Sequence, residues 1–167
     1  MGKCTLYEFI VDIGGIRVYI YGRDREVFAV SFLENESVRK RLSDDFEIRP
    51  GSPEDPIYKA FTEYAKTGSI SDIRPNHQWG TEFQRRVWSA IYDIPCGETT
   101  TYGGIAAAIG KPGAYRAVGQ ATGANPIPIL IPCHRVLAKT GLGGFGSRPG
   151  IKRILLNIEG LELREKK

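Results

Sequence analysis

Pro132-Cys133-His134-Arg135 places a thiol directly beside an imidazole. A thiol is a weak nucleophile until it ionises, and a neighbouring imidazole can remove its proton or stabilise the thiolate. The chain has two histidines, and one of them is here. Adjacency alone does not make a site, because neighbours in a strand point to opposite faces. Taken alone, Cys133 fits the commoner use of a free cysteine, a buried structural thiol. The surrounding residues decide between the two.

A second group lies downstream. A helix starting near Pro149 and stopped by Gly160 carries the stripe Ile151, Ile154, Leu155 and Ile158. Glu159 sits at its C-terminal end, where the helix dipole disfavours a negative charge. A carboxylate there calls for a cationic or hydrogen-bond-donating partner, although a solvated helix-end acid is the plain alternative. A third group lies upstream, in Ala114-Tyr-Arg-Ala-Val-Gly-Gln-Ala-Thr-Gly123. This stretch is rich in Ala and Gly and carries one long charged residue, Arg116. Glycine inside a helix costs about 1 kcal/mol relative to alanine. Gly119 therefore points to close approach, by a packed helix or by a nucleic-acid backbone.

These residues need elements to hold them. Thr5–Val11, Gly15–Tyr21 and Val27–Phe32 alternate as strands, with turn residues at 12–15 and 22–25. They predict a small antiparallel sheet. Helices are expected over 36–43 and over 55–66, the latter with Pro56 in its first turn. Residues 72–80, containing Pro75-Asn76, read as a linker. The expected domains are therefore 1–79 and 80–167, an α/β (α+β) chain with a mostly helical second half. There Thr81 caps one helix, Thr100 or Thr101 a short one ending at Ile109, and 114–122 forms another. The last two, joined by Gly110-Lys-Pro-Gly113, make a helix-turn-helix. Val136–Lys139 and Leu142–Phe145 flank Lys139-Thr-Gly141 as a hairpin wing beside it.

Composition narrows the class. In 167 residues, 41% hydrophobic and 25% charged content is that of a globular protein. No apolar run approaches the roughly 20 residues that span a bilayer, and no signal-peptide core is present, so the expectation is cytoplasmic. Cys4, Cys96 and Cys133 are too few and too scattered for a disulfide framework, and no spacing suggests a metal site. Residues 1–79 carry eleven Lys or Arg against thirteen Asp or Glu, and residues 80–167 carry twelve against six. The second half is thus basic by six charges. Charge alone leaves a polyanionic partner and an ordinary mixed surface equally open.

Four segments share one resemblance: Ile94-Pro-Cys-Gly-Glu-Thr-Thr-Thr-Tyr-Gly103, Arg116-Ala-Val-Gly119, Asn125-Pro-Ile-Pro-Ile-Leu-Ile-Pro-Cys-His-Arg-Val136 and Leu155-Leu-Asn-Ile-Glu-Gly160. Together they resemble the O6-alkylguanine-DNA alkyltransferases over residues 80–160. The resemblance implies a monomer that binds double-stranded DNA through the minor groove and needs no cofactor; some members hold a zinc ion in the N-terminal part through Cys and His, and with only Cys4 and His77 there this chain is expected to lack it. It implies direct reversal of damage, a stoichiometric transfer of the alkyl group of O6-alkylguanine, with O4-alkylthymine second to it. Cys133 matches the acceptor, His134 the base that takes its proton through a water, and Glu159 the carboxylate that orients the base. Asn125 matches a residue bracing the turn, and Tyr102 the hydroxyl that donates to guanine. Arg116 matches a finger that fills the gap left by the flipped nucleotide. Ala114, Ala117, Gly119 and Gly123 would let its helix sit deep in a narrow groove. Pro132, Phe145 and Ser147 would line the pocket for the extruded base. A half-buried packing tyrosine, a surface arginine and a core Phe145 remain the plain alternatives. A cysteine hydrolase would need an oxyanion loop, and none is visible near Cys133.

Overall fold

The computed structural model describes residues 2–33, 36–76, 78–144 and 148–162. The chain divides into two compact units, Met1–Asn76 and His77–Lys167. Phe145 and Ser147, predicted for the pocket, lie outside the described residues, and so does His77.

The first unit is built on strands β1 (Cys4–Ile13), β2 (Ile16–Arg23) and β3 (Glu26–Ser31), paired antiparallel in sequence order. Asp24 and Arg25 both take positive φ, 52° and 64°, which suits the two-residue turn whose twist matches a hairpin. The expected antiparallel meander is present, but the sheet extends beyond it. Two further strands, β4 (Phe46–Pro50) and β5 (Arg74–Pro75), flank the meander in the order β4-β1-β2-β3-β5. Both edge strands run parallel to their neighbours. Helix α1 (Glu36–Asp45) supplies the crossover that a parallel neighbour requires.

Helix α2 (Pro56–Thr67) starts where the sequence places it. The Asp55 carboxylate accepts from the Ile57 N–H at 2.8 Å, and Gly68, at φ 72°, closes the helix with its N–H on the Tyr64 carbonyl. Ile57, Phe61 and Tyr64 are fully buried, and α2 packs on β1. The stretch expected to be a linker is partly strand. Arg74 binds Glu26 at 2.8 Å, and the Asn76 side-chain amide donates to the same carboxylate at 2.9 Å. Together with the backbone bonds from the Arg74 N–H to the Arg25 carbonyl and from the Asn76 N–H to the Val27 carbonyl, they hold a Pro-containing stretch as an edge strand, where proline is tolerated.

The second unit is mainly helical. Helix α3 (Glu82–Tyr92) opens with a capping box: the Gln84 N–H donates to Thr81 Oγ1, and the Thr81 N–H donates to Gln84 Oε1. Its buried Trp88 donates its indole N–H to the Ala121 carbonyl at 2.7 Å, tying α3 to α5. Thr101 caps α4 (Tyr102–Ala108), and α5 (Tyr115–Gly123) follows after a turn containing Gly110 and Gly113 at positive φ. Helix α6 is Pro149–Ile158.

The hairpin wing also needs correction. Val136–Leu137 forms β7, which pairs parallel with β6 (Thr100–Thr101), and the turn closes on a single Ala138–Gly141 bridge. Gly141 and Gly143 take φ of 108° and 71°, which breaks the second limb. Among the described residues no helix is long and apolar enough to cross a membrane.

Candidate functional site

Cys133 is held by a loop with little freedom. Ile127, Ile129, Leu130, Ile131 and Pro132 are buried, and the chain then turns into a 3-10 helix, Cys133–Arg135. Asn125 braces this turn. Its carboxamide donates to the Ile131 carbonyl at 2.8 Å and accepts from the Ile127 N–H at 3.0 Å. It also hydrogen-bonds the Cys133 side chain. Ile129 has φ 75°, a left-handed conformation that is strained for a β-branched side chain. Such strain persists only where the surroundings over-determine it, here the packed apolar loop and the Asn125 bonds.

The tight 3-10 turn solves the adjacency problem posed by a strand. Cys133 is 4% exposed and His134 fully buried. His134 Nε2 lies 2.6 Å from Glu159 Oε1. The carboxylate is anionic, so Nε2 carries the proton, and Nδ1 of the neutral ring is a lone pair. Nδ1 is buried and has no hydrogen-bond partner among the described residues. The nitrogen left without a partner is therefore the basic one. Burial holds the imidazole below its ordinary pKa, against the pull of Glu159, so the resting ring is neutral.

Glu159 is the charged centre of the cluster. Arg135 clasps it twice, Nε to Oε2 at 2.8 Å and Nη2 to Oε1 at 2.9 Å, while Arg135 Nη1 donates to the Ile94 carbonyl at 2.6 Å. Burial alone would push the Glu159 pKa up. The bonds and charges of His134 and Arg135 outweigh it and bring the carboxyl down to about 2. Arg135 thus balances Glu159 before any proton moves. Cys133 is pushed up to about 11 by burial, opposed by Asn125 and by the charge of Lys152. The resting sulfur is a thiol.

Tyr102 is the first residue of α4. Its hydroxyl donates to the Gly144 carbonyl at 3.0 Å, and its pKa is raised by burial and then by the charge of Cys133. Arg116 lies on the exposed face of α5 with Ala117, Gln120 and Gly123, and its guanidinium sits 5.9 Å from the Tyr115 ring. Ala114 is the residue before the helix rather than part of it, and is half-buried. The buried side of α5 is Val118, Ala121 and Thr122. A Cβ added at Gly119 would meet only Tyr102 Cδ1, at 4.0 Å, and one added at Gly123 would meet nothing. Close packing within the protein does not explain these glycines.

Two site residues escaped the sequence reading, Arg135 and Lys152. The predicted α6 stripe was also rotated. Ile151, Ile154 and Ile158 are only partly buried, whereas Lys152, Leu155 and Leu156 are buried and Glu159 has a fully buried side chain. The signal was present: 152, 155, 156 and 159 stand at i, i+3, i+4 and i+7 on one face, with a charge at each end. Among the described residues no group of three His, Cys, Asp or Glu side chains could hold a metal.

A buried cysteine, a neutral imidazole and a buried carboxylate in one compact unit with a helix-turn-helix define the class: a nucleophilic cysteine built into a nucleic-acid-binding framework. Comparison with known proteins agrees. Residues 82–161 match the model of the 6-O-methylguanine DNA methyltransferase DNA binding domain. The chain is 55% identical over 162 residues to a methylated-DNA–protein-cysteine methyltransferase of Methanosarcina mazei, covering 94% of this chain and 93% of that protein. The crystal structure of the O6-methylguanine methyltransferase of Mycobacterium tuberculosis superimposes with a TM-score of 0.79 at 35% identity, covering 92% of each chain. The structure of OGT from the same organism in complex with DNA does so with a TM-score of 0.76 at 35% identity, over 93% of this chain and 92% of that one. The chain belongs to the methylated-DNA–protein-cysteine methyltransferases.

Proposed function

We propose that this chain repairs DNA by taking the alkyl group of O6-alkylguanine onto Cys133, once per molecule and irreversibly. The observation that carries the reading is the buried Cys133 beside His134, whose Nε2 is fixed by Glu159 and whose Nδ1 is left as a base. Nδ1 takes the thiol proton through a water. The thiolate attacks the saturated alkyl carbon in line with the leaving oxygen. The S–C bond forms, the C–O6 bond breaks, and the electron pair stays on guanine. Tyr102, released from Gly144, donates its hydroxyl to the base as charge builds there. Asn125 holds the turn that aims the sulfur, and Pro132 lines the pocket. Phe145 and Ser147 are assigned to the same pocket. The product is a thioether, and no group in the site can cleave it, so the protein is spent.

DNA enters through the helix-turn-helix. Ala117, Gly119 and Gly123 give α5 a low surface suited to the minor groove, and Ala114 leads into it. The two glycines that protein packing does not require are accounted for by this approach. Arg116 fills the gap left by the flipped nucleotide, offsetting part of an unpairing cost of a few kcal/mol. The partner is double-stranded DNA in the cytoplasm, and the protein works as a monomer.

Intact mass after mixing with a duplex containing O6-methylguanine tests this. The expected result is one methyl group per protein, on Cys133. Turnover beyond one, or an adduct on the exposed Cys96, sinks the reading. With Arg116→Ala, repair in the duplex falls at least tenfold more than reaction with free O6-benzylguanine; equal losses remove the finger.

A further inference from the structure

Lys152 is a charged residue of the site that the transfer chemistry has not used and that, unlike Arg135, has no carboxylate partner among the described residues. It sits on α6 with no exposed surface. Its ammonium donates to the Val136 carbonyl at 2.5 Å and reaches the Gly144 carbonyl at 3.5 Å. It also lies 5.9 Å from the centre of the Tyr102 ring. Among the described residues no carboxylate is within ion-pair distance of it. Burying an ammonium without a counter-ion costs several kcal/mol, so a fully buried lysine on main-chain carbonyls calls for an anion formed nearby.

The charges around it identify that anion. Helix α6 packs on the 3-10 helix, where the charge of Lys152 acts on both Cys133 and His134; α4 contributes Tyr102, and α6 itself Glu159 with its partner Arg135. Glu159 is already matched by Arg135 and bonded to His134. His134 is neutral at rest and Tyr102 keeps its proton. The group left to carry the matching negative charge is the Cys133 sulfur. We infer that Lys152 is a positioning residue whose fixed ammonium, held by Val136 and Gly144, stabilises the Cys133 thiolate as His134 withdraws the proton. The electrostatics agree in both directions: the charge of Lys152 lowers the Cys133 pKa, and Cys133 raises that of Lys152, which burial has brought down to about 8.

The inference deepens the assignment of Cys133 as acceptor and rests on it, yet its test needs no DNA. The full-length protein is labelled with iodoacetamide from pH 6 to pH 10, and the Cys133 peptide is followed by mass spectrometry. Lys152→Met should slow labelling at pH 7 about tenfold or more, the change expected for each pKa unit. The ratio of wild type to Lys152→Met should then shrink toward one as pH rises past the titration of Lys152. Lys152→Arg, which keeps the charge, should restore the rate at pH 7. A loss that is the same at every pH, or no loss, overturns the inference.

A measurement on the wild type covers the case in which Lys152→Met does not fold. Carbon NMR follows the Lys152 ε-methylene through its titration. Lys152 should still carry its proton at pH 7, where the thiolate is drawn from the thiol; a lysine already neutral at pH 7 overturns the inference. If these results hold while duplex O6-methylguanine yields no adduct, the function fails and the charge pairing stands.

Discussion

Each unit of this molecule wraps a glutamate with an arginine and one further ring, and the two arrangements do different work. In the first unit, Glu8 on β1 stands opposite Tyr21 on β2, accepts a hydrogen bond from its hydroxyl, and lies 3.6 Å from Arg39. The Glu8 side chain keeps 16% of its exposure. Burial, then Glu8, pushes the Tyr21 hydroxyl far above its ordinary pKa, so it never releases its proton in the working range. In the second unit, Glu159 is wholly enclosed, clasped by Arg135 at 2.8 Å and bonded to His134 at 2.6 Å. Here the ring is an imidazole, its second nitrogen is free, and a thiol is the next residue back. The parts are alike, but a phenol locked in its protonated state can only hold strands together. An imidazole held neutral beside a thiol can move a proton. What separates scaffold from site is the pKa of the ring and what adjoins it, not the presence of a buried ion pair.

The largest expected effect tests that difference directly. Glu159→Gln leaves Arg135 buried without its counter-ion, and breaking such a pair costs about 3–5 kcal/mol. It also removes the acceptor that fixes the proton on Nε2, so transfer to Cys133 should fall about 100-fold or more, the scale of general acid–base help. Glu8→Gln keeps a hydrogen-bond acceptor for Tyr21 at a partly exposed position and should cost about 1 kcal/mol. Its transfer rate should stay within twofold. Denaturant melts and single-turnover rates measure both. A large rate loss in Glu8→Gln would erase the distinction between the networks.

Acid should separate them next. Glu159 has a folded pKa of about 2 against an ordinary 4.5, so its contribution to stability is complete above 4.5 and is lost as pH falls toward 2. His134 acts in the same direction: its folded pKa is depressed, so protons favour the unfolded chain once pH drops below the ordinary 6.5. Between pH 6 and pH 3 the loss from Glu159 alone should be about 2 kcal/mol. Both tryptophans, Trp79 and Trp88, belong to the second unit, so their fluorescence reports it directly. Glu159→Gln should flatten this acid slope below pH 4.5. A slope unchanged in that variant would mean that other carboxylates carry it.

The same contrast explains what was legible in the sequence. Cys133, His134 and Glu159 could be read because each signal is local: a dipeptide, and an acid at an unfavourable helix end. The caps at Thr81 and Thr101 were readable for the same reason, since a side chain three residues away satisfies the orphan N–H. Strands β4 and β5 were not, because Phe-Glu-Ile-Arg-Pro and Arg-Pro become strands only through partners more than forty residues away. The α6 face failed for another reason. Two stripes, 151-154-155-158 and 152-155-156-159, differ by one residue of rotation, and apolar count favours the first. Tertiary contact chose the second, because Glu159 reaches Arg135 and His134 only when Lys152 turns inward with it. Hydrophobic periodicity scores a lysine as surface, so the residue that most marks the site was the one the pattern set aside.

The smallest effect supplies the control that the largest one needs. Loss of transfer in Glu159→Gln has two possible sources, a damaged proton path or a loosened second unit. Thr81→Ala loosens the same unit without touching the site, because it removes only the side-chain acceptor for the Gln84 N–H at the start of α3. It should cost about 1 kcal/mol, as should Asp55→Ala at the start of α2 in the first unit. At 25 °C both variants remain almost wholly folded, since an ordinary domain holds about 5–15 kcal/mol in reserve. Single-turnover rates should therefore match wild type, while the tryptophan-monitored melt of Thr81→Ala moves to lower denaturant. Thr81→Ser, which keeps the hydroxyl, should recover most of that shift. If Thr81→Ala instead slows transfer as severely as Glu159→Gln, the rate follows the integrity of the second unit, and the enclosed glutamate is scaffold like its counterpart in the first.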